Sequence, residues 1–155
     1  TTIIGDRPLD NRRGNDMQES ALAKLVKASL ERQFKIACYV NKNHGNQYQA
    51  HGRPDIEGSL FGRHFGFELK TKSRFTPTQV THLKRIAAAG GIAGGIVYNN
   101  GKVYFINHNQ AAKYSLRDRE NWIEIPMNRY LDFTFIYTYV NIFYLYYHGE
   151  HSVLS

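Results

Sequence analysis

Apolar positions change their period several times along the chain, and each change marks an element. Leu22, Leu25, Val26, Leu30 and Phe34 recur at helical spacing, with Lys24, Lys27, Glu31 and Lys35 on the opposite side. Asp16, with Glu19 three residues on, predicts a capping box at the start of this helix. Ile36 to Val40 alternates as a strand does, and the polar loop Asn41–Gly52 follows with Tyr48 as its one apolar anchor. Asp55–Leu60 and His64–Thr71 read as two strands joined by a tight turn at Phe61-Gly62-Arg63. Thr76 as N-cap, Pro77 at the first helical position and Gln79 as capping partner open a second helix. It runs through Val80, Leu83 and Ile86 to a stop at Gly90-Gly91. Ile92–Tyr98 and Lys102–Ile106 are strands flanking the turn signal Asn99-Asn100-Gly101, and residues 109–125 hold a short helix and an edge strand. The order α-β-β-β-α-β-β predicts an α/β fold, a mixed sheet with helices packed on it. No internal repeat or second domain is visible. Residues 1–155 are expected to form one domain, with 1–15 as a loose arm.

The segment from Phe133 to Tyr147 carries no charge and is dominated by Tyr and Phe. It is shorter than the roughly 20 residues of a spanning helix. Its β-branched and aromatic content predicts a strand or a partner-covered segment, and residues 133–155 are a candidate subunit interface.

Composition narrows the partners. The 155-residue chain, 42% hydrophobic, is long enough for a real core and too apolar for disorder. Its net charge of +7 favours polyanions, nucleic acid among them. Cys38 stands alone, so no internal disulfide forms, which fits a reducing compartment. Alternating with Ile36 and Val40, it reads as a small buried apolar residue. The polar start lacks the apolar core of a signal peptide, so an intracellular protein with no membrane partner is expected.

One stretch raises a chemical question. Gly52 to Lys72 holds Asp55, Glu57 and Glu68 among Ile56, Leu60, Phe65, Phe67 and Leu69. Alternation sends Phe65, Phe67, Leu69 and Thr71 to one face and His64, Gly66, Glu68 and Lys70 to the other. A turn near Gly62 brings Asp55 towards the Lys70 end, so Asp55, Glu68 and Lys70 converge. Two close carboxylates repel, and one tends to hold a proton. Mg2+ or Mn2+ removes that cost, polarises a phosphate and lowers the pKa of a bound water. Lys70 can hold that water and screen developing charge. Gly58, Gly62 and Gly66 fit strands that a substrate approaches closely. Thr71, Lys72, Ser73 and Arg74 continue the polar face into a loop suited to phosphate. The same acid–lysine pair could instead be an exposed ion pair of small energy. Glu19 prolongs the stripe of Leu22 and Val26 and is expected to point into the body of the fold. Glu31 lies between Lys27 and Lys35 on the wet face and is set aside, while Glu57 shares Asp55's face as a secondary candidate.

The block "GRPDIEG...FGFELKTK...TPTQVTHLKRIAAAGGIAGGIVY" resembles the PD-(D/E)xK nuclease superfamily. It is most similar there to RecU-type Holliday-junction resolvases and their phage relatives. Those carry a long insertion before the catalytic Asp, where this chain has only Asn41–Gly52; small VRR-NUC nucleases also lack it. The resemblance, over about Arg13 to Pro126, implies a restriction-endonuclease-like sheet flanked by helices in the order α-β-β-β-α-β. It implies Asp55, Glu68, the Leu69 carbonyl and Glu19 as ligands of Mg2+ or Mn2+. Lys70 would position the attacking water, and Gln79 would support the site or act in capping alone. Arg12, Arg13, Lys72 and Arg74 are expected on phosphates, with Asn43 and His44 entering a junction. The expected protein is a homodimeric, metal-dependent endonuclease on branched DNA. A restriction- or repair-type endonuclease on duplex or flap DNA, and a non-catalytic DNA-binding module, are the alternatives.

Overall fold

The computed structural model describes residues 17–43 and 53–139. Asp16, the 1–15 arm with Arg12 and Arg13, His44, Tyr48 and residues 140–155 lie outside the described residues. Helix α1 spans Glu19–Phe34. Strands β1 (Cys38–Lys42), β2 (Ile56–Leu60) and β3 (Arg63–Lys70) follow, then helix α2 (Pro77–Ala88). Strands β4 (Ile92–Asn99) and β5 (Lys102–Asn107), the short helix α3 (His108–Ala112) and strand β6 (Ile123–Ile125) complete the order. Among the described residues six strands form one sheet in sequence order. Every pairing is antiparallel except β3 with β4, which are parallel because α2 crosses between them. The predicted α/β class, the mixed sheet and the flanking helices are therefore present.

Each face of the sheet is covered by different helices. Leu22, Val26, Leu30 and Phe34 of α1 pack on Ile56, Leu60, Phe65, Phe67 and Leu69. Burying each such side chain contributes about 1.5–3 kcal/mol. On the other face, Leu83 and Ile86 of α2 and Ala111 of α3 meet Ala93, Val97 and Ile106. The β2–β3 turn has φ of 53° at Phe61 and 78° at Gly62, as a two-residue hairpin loop requires.

Several expectations are corrected. Helix α1 begins at Glu19, with Gln18 as N-cap and no side-chain cap bond, so Glu19 is not the third residue of a capping box. β1 starts two residues later than the alternation indicated. Ile36 lies in a 3-10 turn, fully exposed, because the chain leaves α1 through Lys35 at φ 49°. Cys38 is consequently half-buried rather than a core residue. Residues 133–139 do not form a strand. Thr134–Ile136 make a 3-10 turn that buries Phe133 and Ile136 under α1, held by Gln33, whose Oε1 accepts from the Phe133 N–H at 2.7 Å. Phe135 and Tyr139 pack against the same core, while Tyr137 is exposed. Gly58 and Gly66 are small because the protein itself fills their space. A Cβ at Gly58 would lie 1.8 Å from the Tyr39 carbonyl oxygen, and one at Gly66 would meet Ile86 and Pro54. Among the described residues no helix is long and apolar enough to cross a membrane.

Candidate functional site

The hairpin register builds the site. Ile56 pairs with Phe67, so Asp55 stands one step beyond the ladder, opposite the Glu68–Leu69 segment. Its Oδ2 accepts the Leu69 N–H at 2.9 Å, occupying the position a further strand carbonyl would take. Glu68 and Lys70 share the α2 side of β3 and are 2% and 7% exposed. Gln79 does two jobs. Its Oε1 accepts from the Thr76 N–H at 2.8 Å while the Thr76 hydroxyl caps Gln79, completing the predicted capping box. Its Nε2 donates to Glu68 Oε1 at 3.0 Å. The cap thus fixes the rotamer that reaches the carboxylate.

Glu68 Oε2 is buried without a hydrogen-bond partner. Burial pushes the Glu68 carboxyl up to about 10. A hydrogen bond with Asp55 and the negative charges of Asp55 and Glu19 add to this, with Lys70 opposing. The Glu68 carboxyl is therefore held protonated at neutral pH. The Lys70 ammonium also lies 5.8 Å from the centre of the Phe75 ring, within cation–π range.

Glu19, Asp55 and Leu69 line one cavity of about 260 Å³, together with Lys42, Asn43 and Ser20. Glu19 reaches it from the first turn of α1 as an exposed residue, not as the buried one that its place in the stripe predicted. Among the described residues no three His, Cys, Asp or Glu side chains form a compact metal-binding group. Lys42 and Ser20 were not singled out by the sequence; Lys42 is legible only from the β1–β2 register, which pairs it with Ile56, next to Asp55.

Glu57 is committed elsewhere. Its Oε2 accepts from Arg53 Nε and from Asn43 Nδ2, and its Oε1 lies 3.7 Å from His64 Nε2. Burial alone would raise its carboxyl, but the bonds from Arg53 and Asn43 and the charges of Arg53 and His64 hold it below its ordinary value. Asn43 also donates to the Pro54 carbonyl, so both its amide hydrogens are engaged within the chain. Lys72 and Arg74 are exposed just beyond Lys70, on the segment leading into α2. Glu31 pairs with Lys27 at 2.8 Å on the outer face of α1, as expected.

No protein-family model matches the chain, and no curated protein matches it. Among solved structures it is similar to the Holliday junction resolvase Hjc of the archaeal hyperthermophile Archaeoglobus fulgidus. The TM-score is 0.42 and the sequence identity 12%, over 70% of this chain and 83% of that one.

Proposed function

We propose that this chain is a metal-dependent endodeoxyribonuclease acting on branched DNA, with four-way junctions as its best substrate. The observation that carries the reading is the Asp55–Glu68 pair, two carboxylates brought together with Asp55 lining a cavity and the Glu68 carboxyl pushed up by burial and by Asp55. Two carboxylates held this close repel, a cost that a purely structural pair gives no reason to retain and that a bound cation would remove. Asp55, Glu68 and the Leu69 carbonyl suit Mg2+ or Mn2+, hard ions that complete their shells with water and phosphate oxygens and need few protein carboxylates. Such an ion, when bound, supplies Lewis acidity towards the phosphodiester and a more acidic water.

The chain's own residues supply the rest. Gln79 holds Glu68 Oε1, leaving Oε2 for a ligand. Asp55 is oriented by the Leu69 N–H. Lys70, kept from solvent, places positive charge where a phosphate gains negative charge and can hold the attacking water by hydrogen bonding. Glu19 and Lys42 face the cavity from α1 and β1, where Glu19 can add a water-mediated ligand. Lys72 and Arg74, with Arg12 and Arg13 of the N-terminal segment, are assigned to DNA phosphates, and His44 to the junction. Paired cuts across a junction require two sites related by symmetry, hence a homodimer. The exposed Ile36 and Tyr39 at the β1 edge are apolar surface suited to it.

The test is cleavage in Mg2+ of a labelled four-way junction and of linear duplexes of the same sequence. Preferential cutting of the junction supports the proposal, and equal cutting of both removes the branched-substrate assignment. Asp55→Asn should bind junction at least as tightly as the native chain without cutting it. If that variant binds but still cuts, Asp55 is not part of the site.

A further inference from the structure

We infer that Asn43 is the positioning residue for Asp55, acting as a clamp between the end of β1 and the start of β2. The inference rests on the reading of Asp55 as a cation-binding carboxylate. Asp55 precedes β2 and has no ladder partner of its own. Asn43 supplies what the ladder does not. Its backbone N–H donates to the Asp55 carbonyl at 2.8 Å, carrying the β1–β2 pairing one step beyond Lys42 and Ile56. Its side-chain Nδ2 donates to the Pro54 carbonyl at 2.6 Å. One residue thus fixes the peptide planes on both sides of the Asp55 Cα.

A peptide unit is planar, so holding both planes sets φ and ψ of Asp55 and with them the direction of its Cβ. The carboxylate is thereby aimed at the Leu69 N–H, 2.9 Å away. Glu57 keeps the clamp closed. Its Oε2 takes the second Asn43 amide hydrogen at 2.6 Å and is itself held by Arg53, which immediately precedes Pro54. The Pro54 ring packs over Gly66, where any side chain would push it away. This gives Glu57, Arg53 and Gly66 a shared purpose, holding the acid from behind without touching the cavity.

Partners that orient a ligating carboxylate typically change metal affinity or activity by about 10–100-fold when removed. The experiment compares native chain, Asn43→Ala and Asn43→Asp by two readouts. Asn43→Asp keeps the side-chain shape while deleting both donated hydrogens, and serves if the alanine variant does not fold. Ser29→Ala, which removes a buried bond to the Leu131 N–H far from the site, controls for general loosening. The first readout is amide hydrogen exchange without metal. The Leu69 amide should exchange at least about tenfold faster in the Asn43 variants while Phe65 and Ile96 amides keep their relative protection. The second is Mg2+-dependent cleavage. The kcat should fall about 10–100-fold with little change in KM for DNA.

Unchanged Leu69 protection, or uniform loss across the sheet as in Ser29→Ala, overturns the clamp whatever the activity shows. Selective Leu69 exchange with unchanged kcat also overturns it as a positioning device for catalysis. If the native chain cuts no DNA, the nuclease reading fails, and the exchange pattern alone then decides whether Asn43 orients Asp55.

Discussion

Glu68→Gln should make this protein more stable above pH 5, and increasingly so as pH rises. Glu68 is 2% exposed and its carboxyl is pushed up to about 10, burial first and the Asp55 hydrogen bond and charge next. In the unfolded chain it titrates near the ordinary 4.5. A carboxyl raised in the folded state leaves stability intact below the unfolded pKa and erodes it as pH climbs towards the folded one, because the native chain must hold a proton the unfolded chain has released. Each pH unit in that window costs about 1.4 kcal/mol. The penalty is therefore roughly 3 kcal/mol at pH 7 and under about 1 kcal/mol at pH 5. Glutamine has the shape of the protonated acid, can accept from Gln79 and can donate towards Asp55, and it carries no proton to lose. Urea unfolding in EDTA at pH 5, 7 and 8.5, native chain beside variant, measures the difference. A variant advantage that grows with pH is expected. A pH-independent difference, or a native chain more stable than the variant at pH 8.5, would refute the buried-proton account.

Gln79→Ala removes the capping partner and the donor to Glu68, and should lower stability by about 1–2 kcal/mol in urea titration; a loss within error would mean neither bond contributes. Gly58→Ala drives a Cβ into the Tyr39 carbonyl and should destabilise by more than about 3 kcal/mol, whereas Gly66→Ala meets the mobile tip of Ile86 first and should cost less. Thermal melts that reverse this order would contradict the β1–β2 approach. Burial, reinforced by Glu31 against Lys27, pushes the Cys38 thiol up to about 11 from 9.0, so iodoacetamide at pH 8 should label it about 100-fold more slowly than an unperturbed thiol. Rapid labelling of the folded chain would refute that environment.

Legibility in the sequence tracked how local the determining physics was. Thr76-Pro77-x-Gln79 specifies a helix start through contacts within one turn, and the helix begins at Pro77. The Phe61-Gly62 turn fixes the β2–β3 register, and from that register alone Asp55 falls opposite Glu68. The failures involve distant partners. Ile36 alternates correctly with Cys38 and Val40, yet the turn at Lys35 withholds it from the strand. Phe133 and Ile136 have strand-like composition, but the underside of α1 is what they fill. Glu19 continues an apolar stripe, yet its place in the first turn puts it at the solvent end of the helix. The partners of Asn43 were not legible either, because nothing in its neighbourhood announces Pro54 and Glu57, more than ten residues away.

The central claim is that Asp55, Glu68 and Lys70 form a phosphodiester-cleaving site. It is tested most directly by incubating native chain and Lys70→Ala, each confirmed folded, with a labelled four-way junction in Mg2+ and in EDTA. Cutting by the native chain in Mg2+, none in EDTA, and a rate lower by about 100-fold or more for Lys70→Ala are expected. No cutting of any DNA by the native chain in Mg2+ or Mn2+, or equal cutting by Lys70→Ala, would contradict it.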